Sequence, residues 1–164
     1  MTNEPVKFVN QATATNAEVA RAVSPERRAF LEEALMSHLG PEIAGNVPAI
    51  TDSYAKGGHI SFNGVLYDTP EMLTSFHHNF GFGGHGMLSN LSAEIVHIHY
   101  TFDAVTVEFA MRGTVAVSLG GAAPGRPVVL HVCGVYCFDE AGKLASERIY
   151  FDTGCLLPEP IFRP

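Results

Sequence analysis

His97, His99, Glu108 and Arg112 alternate with apolar residues along two adjoining strand-like stretches, Ile95 to Phe102 and Val105 to Val117. Alternate side chains of a strand share a face, so these polar groups line up together, opposite an apolar row that runs from Val96, Ile98 and Tyr100 to Val105, Val107 and Phe109. A two-residue turn at Asp103-Ala104 would set His99 directly opposite Glu108. The carboxylate could then fix the tautomer of the imidazole and raise its basicity. Such a pair can take a proton from carbon or activate water, with Arg112 steadying the anion that forms. A second reading stays open, because a polar sheet face often looks to solvent or a subunit interface while the apolar face forms the core.

Eight histidines in 164 residues raise the question of a metal. Neither His97 with His99, nor His77 with His78 and His85, has the spacing of a recognised site, and His77 and His78 point to different sides of a helix; no metal and no organic cofactor are expected. Cys133 and Cys137 would stand roughly 13 Å apart along one strand and Cys155 is left over, so all three read as reduced core thiols. No serine or cysteine lies in an elbow with an identifiable base. The run Gly81-Phe82-Gly83-Gly84-His85-Gly86 follows a helix instead of joining a strand to one, which suits a flap at a pocket mouth better than a phosphate cradle. A net charge of −7, with ten Lys and Arg spread thinly, argues against nucleic acid as a partner. No apolar run of about eighteen residues suggests a membrane span, and Met1 to Gln11 lacks a secretory pattern, so a cytoplasmic location is expected.

Helices and then a run of strands must position these groups. Asn16 to Val23 reads as a short helix. Ser24-Pro25-Glu26 supplies a cap, a first-turn proline and an acid for a longer one, along which Phe30, Leu31, Ala34, Leu35, His38 and Leu39 recur at helical spacing until Gly40-Pro41. A short helix over Val47 to Tyr54 precedes a hairpin at Asn63-Gly64, flanked by His59 to Phe62 and Val65 to Tyr67. Asn63, Ser61 and His59 share a face there and could orient a carbonyl or hydroxyl; Asn63 equally suits the left-handed turn. Thr69-Pro70-Glu71 opens a further helix carrying Met72, Leu73, Phe76 and Phe80. Strands follow over Ile95 to Phe102, Val105 to Val117, Pro127 to Phe138 and Leu144 to Phe151. The pattern is a single α+β domain over 1–164, a long antiparallel meander with helices on one face, with 1–15 and 158–164 as loose ends.

The last hundred residues carry a resemblance. Phe138-Asp139-Glu140-Ala141-Gly142-Lys143-Leu144, Glu147-Arg148-Ile149-Tyr150-Phe151-Asp152, Leu156-Leu157, and Arg112-Gly113-Thr114 with the Gly120 to Arg126 loop resemble the SnoaL-like polyketide cyclases of the nuclear-transport-factor-two-like superfamily, which includes the ketosteroid isomerases. The resemblance implies a cone-shaped α+β barrel, a conical pocket for an apolar ring compound, acids or bases on the last two strands, and a homodimer. Where the isomerases carry their catalytic Asp, this chain has Gly134; where the cyclases carry theirs, it has Ile149. If position 149 faces the pocket, so do Glu147 and Phe151, which makes Glu147 the first candidate for the proton-transferring group. Buried among apolar groups, its carboxyl would be raised toward neutrality. Its alternative is a rim position, paired with Arg148 or Arg112. His99 supported by Glu108 comes second, with Arg112 as anion stabiliser and Asn63, His97, Gly134, Tyr136, Ile149 and Phe151 shaping the substrate site; glycine at 134 would leave room for a larger ligand. The expected activity is cofactor-independent isomerisation, cyclisation, dehydration or hydration of a small or medium apolar carbonyl, polyketide-like or terpenoid compound. The alternatives are a non-catalytic binding or dimeric assembly module and epoxide hydrolysis.

Overall fold

The computed structural model of the protein describes residues 23–156. The helix expected over Asn16 to Val23 and both expected loose ends therefore lie almost wholly outside the described residues.

Helix α1 spans Pro25–Ile43, with Ser24 Oγ accepting from the amide of Arg27 at 3.2 Å and Pro25 in the first turn. It buries Leu31, Ala34, Leu35, His38 and Leu39. The expected stop at Gly40-Pro41 does not occur, and α1 continues through both residues to Ile43, closed by the amide of Ala44 on the carbonyl of Gly40 at 3.0 Å. The clash that normally drives the residue before a proline out of helical geometry involves its Cβ, which Gly40 lacks. Helix α2 (Val47–Asp52) is capped by Asn46, and α3 (Pro70–Phe80) by Thr69. Gly81 ends α3 at φ 136, a conformation that favours glycine.

The strands are β1 Tyr54–Phe62, β2 Val65–Tyr67, β3 Leu88–Tyr100, β4 Ala104–Val115, β5 Pro127–Phe138 and β6 Leu144–Phe151, in the order β2-β1-β6-β5-β4-β3. β3 to β6 form the expected antiparallel meander, and β1 and β2 the hairpin about Asn63-Gly64. The sheet as a whole is mixed and open. β1 runs parallel to β6, with Ile60 opposite Glu147 and Phe62 opposite Ile149, a direction that a period-two pattern cannot encode because alternation is the same read either way.

The helices cover the inner face of this sheet. Val105, Val107, Phe109, Leu130, Val132, Tyr136, Leu144 and Ile149 meet Leu31, Leu35, Leu39, Phe76 and Phe80 in one apolar cluster. Two irregularities matter for the site. β1 shifts register between Tyr54 and His59, with Gly57 at φ 76. β3 bulges between Ile95 and His97, which turns Val96 out to 50% exposure, against the expected apolar face. Among the described residues no helix is long and apolar enough to cross a membrane.

Candidate active site

Glu147 lies on β6, in the middle of the sheet, between Tyr136 of β5 and Ile60 of β1. Having a strand on each side and helices above leaves it 2% exposed. The phenol of Tyr54, brought inward at the start of β1, donates a short hydrogen bond to its Oε2. The Nε2 of His38, from α1, lies 3.4 Å from the same oxygen. One turn further along α1, Glu42 sets Oε1 3.7 Å from His38 Nε2 and 3.8 Å from the Nε2 of His77, which comes from α3.

Both imidazoles are held from behind. His77 Nδ1 lies 2.6 Å from the carbonyl of Leu73, which can only accept. His38 Nδ1 lies 2.8 Å from Ser53 Oγ, whose single proton is directed to the carbonyl of Ile50 at 2.6 Å. In both rings, then, Nδ1 carries a proton and Nε2 points at the carboxylates. Burial alone would raise Glu147, but His38, with His77 and the phenol of Tyr54, outweighs it and holds this carboxyl below its ordinary range. Glu42 goes the other way: burial pushes it up to about 8, against the attraction of His38 and with the repulsion of Glu147. His38 is raised, since Glu147 and Glu42 overcome the cost of its burial, whereas burial lowers His77. Tyr54 and Tyr136 are both pushed well up by burial and by Glu147.

Glu42, Tyr136 and Glu147 line a cavity of about 330 Å³, with His38, Tyr54 and His77 packed behind them; it is walled by Phe62, Phe76, Phe80, Phe109, Val132 and Ile149 and reached past Met36, Ile43 and Ile95, which are 50%, 78% and 46% exposed. That volume is at the lower end of the ~300–1,000 Å³ range of ligand sites. Glu42, Tyr136 and Glu147, with Ser92, present the polar groups in an otherwise apolar lining. Tyr136 makes no hydrogen bond to a protein group among the described residues, which leaves its hydroxyl to the cavity.

Of the residues singled out from the sequence, the structure brings Glu147, Tyr136 and Ile149 together in the cavity wall. Phe151 stands behind it, its ring 5.1 Å from that of Phe62. Several expectations are corrected. Glu147 sits in the interior and is not a rim residue paired with an arginine, and its carboxyl is lowered instead of raised, because its partners are charged and hydrogen-bonding instead of purely apolar. Gly134 does not enlarge the pocket: a Cβ there would stand 2.6–2.8 Å from the ring and hydroxyl of Tyr136, so the tyrosine occupies the space. The β3–β4 turn is longer than two residues, with Tyr100 opposite Val105, so His99 faces Thr106 and it is His97 that faces Glu108. His97, His99, Glu108 and Arg112 are all exposed on the outer face, away from the cavity. Asn63 takes φ 47 in its turn and uses its side chain on the backbone of Phe151, accepting at 3.0 Å and donating at 3.3 Å. His38, Glu42 and Tyr54 escaped notice as functional residues, and His77 was weighed only beside His78 and His85, which are not its partners here. The available signal was a histidine on the apolar face of a helix with a glutamate four residues on, and ending the helix at Pro41 removed that glutamate from view.

No protein-family model matches the sequence, and no curated protein does. Solved structures do match. A SnoaL-like polyketide cyclase from Jannaschia sp. superposes with a TM-score of 0.64 at 15% identity, over 80% of this chain and 94% of that one. This chain has the NTF2-like fold. Other structures sharing the NTF2-like architecture include a ketosteroid isomerase-like protein from Catenulispora acidiphila in complex with trimethylamine (TM-score 0.63, 15% identity, 80% of this chain and 98% of that one) and SalBIII, an epoxide hydrolase/cyclase-like enzyme in pyran ring formation (TM-score 0.63, 14% identity, 76% and 92%).

Proposed function

We propose that the protein is an acid/base enzyme that binds a small apolar carbonyl compound in its inner cavity and moves a proton on it, in an isomerisation or ring closure. The observation that carries this reading is the Glu147 carboxylate, set in the wall of an apolar cavity and held by Tyr54 and His38. A carboxylate so placed can take a proton from the carbon beside a carbonyl and return it elsewhere on the same molecule. The Tyr136 hydroxyl, committed to no protein group among the described residues, can donate to the carbonyl oxygen as negative charge gathers there. Desolvation in the cavity strengthens both interactions. Kinship of fold with cyclase, isomerase-like and epoxide hydrolase-like proteins supports a catalytic role for such a pocket. Water addition to an epoxide is the alternative within the same site.

The test is turnover of a panel of cyclic ketones and epoxides by the wild type and by Glu147→Gln. Removing a general base should lower kcat/KM for any active compound by about 10²–10⁴-fold with the circular dichroism spectrum unchanged; an equally active variant would sink the reading. We further propose that the exposed outer face, where Val96, Val129 and Tyr150 stand uncovered, receives a second copy of the chain. Sedimentation as a monomer at all concentrations would remove that idea.

A further inference from the structure

We propose that His38, His77 and Glu42 form a binding site for a divalent first-row metal ion beside the cavity, which Glu42 lines. The starting observation is an unusual pair of atoms. Among the described residues, the buried side-chain nitrogen and oxygen atoms that make no hydrogen bond of good geometry are His38 Nε2, which has only the 3.4 Å approach of Glu147 Oε2, and His77 Nε2, on two side chains that are each 0% exposed. Leaving a buried polar atom unsatisfied is costly, and two of them converging on one spot call for a common partner.

The geometry names that partner. The Nε2 atoms and a carboxylate oxygen of Glu42 all lie within 4.8 Å of one another, with Glu42 Oε1 at 3.7 Å from His38 and 3.8 Å from His77. Ligand atoms each about 2.1 Å from a tetrahedral ion are about 3.4 Å apart, so an ion requires only a modest contraction. The contacts behind the rings are those that metal-binding histidines use. Each Nδ1 proton is spent, on the carbonyl of Leu73 or the hydroxyl of Ser53, which fixes the tautomer and leaves Nε2 as the free lone pair. The ligands also come from rigid elements: His38 and Glu42 are one turn apart on α1, and His77 is on α3.

Two imidazoles and a carboxylate suit Zn²⁺ or Fe²⁺, whereas Mg²⁺ and Ca²⁺ prefer oxygen throughout. Glu42 lines the cavity, which supplies the entry path and leaves an open coordination position facing the bound compound. Glu147, 3.4 Å from His38, stays beside the ion with its own phenol partner. This site adds to the acid/base reading and does not require it.

Metal and proton are alternative ways of joining these lone pairs to the carboxylates, and one experiment separates them. The full chain, stripped with chelator, is titrated with Co²⁺ and then Zn²⁺, following the visible Co²⁺ bands and the imidazole nitrogen signals by nuclear magnetic resonance. The expected result is one equivalent of Co²⁺ with bands of a four- or five-coordinate site, displaced by Zn²⁺, while the Nε2 signals of two buried histidines move and those of His97 and His99 do not. His77→Gln should weaken Co²⁺ binding by at least about 100-fold, and the His97→Ala, His99→Ala double variant should leave it unchanged. Absence of the bands, or binding that follows His97 and His99, would overturn the site. Because the nitrogen signals are read on the wild type, misfolding of His77→Gln would not blur the outcome. No readout uses turnover, so the metal site and the proton-transfer reading stand or fall separately.

Discussion

The two faces of the sheet carry the same chemical types in much the same grouping. The outer face sets His97 against Glu108, with His99 and Arg112 along the same row; the inner face sets His38 and His77 against Glu42 and Glu147. What separates them is water. The outer groups are exposed, where a charge pair is worth little, about 0–1 kcal/mol, and its geometry is free to drift. On the inner face helices seal the groups in, each imidazole is fixed through its second nitrogen, and the two carboxyls are driven in opposite directions, Glu147 down and Glu42 up to about 8. A histidine beside a glutamate becomes a site only when the fold has removed the solvent and fixed the partners.

The sharpest way to break this contrast is the same substitution on each face. Glu147→Gln should cost about 10²–10⁴-fold in kcat/KM on any compound the wild type turns over, and Glu108→Gln should cost nothing measurable; equal losses would erase the distinction. Truncation makes the corresponding comparison in stability. Val107→Ala on the inner face should lower urea-unfolding stability by about 2 kcal/mol, whereas Val96→Ala, at the bulge, should change it by less than about 0.5 kcal/mol.

Gly134→Ala tests whether Tyr136 is held where the cavity needs it. The added methyl must displace the tyrosine ring, so turnover should fall roughly tenfold and stability by about 1–2 kcal/mol; a silent substitution would free Tyr136 from its assigned place. Asn63→Ala should cost about 1 kcal/mol through its left-handed turn and lost bonds to Phe151, with kcat unchanged. Replacing both His97 and His99 by Ala should be the mildest, within about 0.5 kcal/mol and with the same kinetics.

Much of the fold was legible because local rules express it. Ser24-Pro25 and Thr69-Pro70 open helices, Asn63-Gly64 closes a hairpin, and β5 and β6 have the expected bounds of Pro127–Phe138 and Leu144–Phe151. The candidate site was less legible. Glu147 could be read because it sits two residues from a position that the family resemblance marks as inward, and strand parity carries that information. The outer row of His97, His99 and Glu108 attracted attention for the opposite reason: alternation makes an ordered polar face conspicuous, but alternation does not say which side is wet.

What the amino-acid sequence determined alone was the elements among the described residues, the α+β class and the alternation along each strand, since these depend on neighbours a few residues apart. Only the tertiary structure decided that α1 runs through Pro41, that β1 joins β6 in parallel, and that His38, Glu42, Tyr54, His77 and Glu147 meet. Those five residues come from α1, β1, α3 and β6, and their electrostatics exist only once the elements close over them. Desolvation belongs to the assembled interior, and no window of sequence contains it.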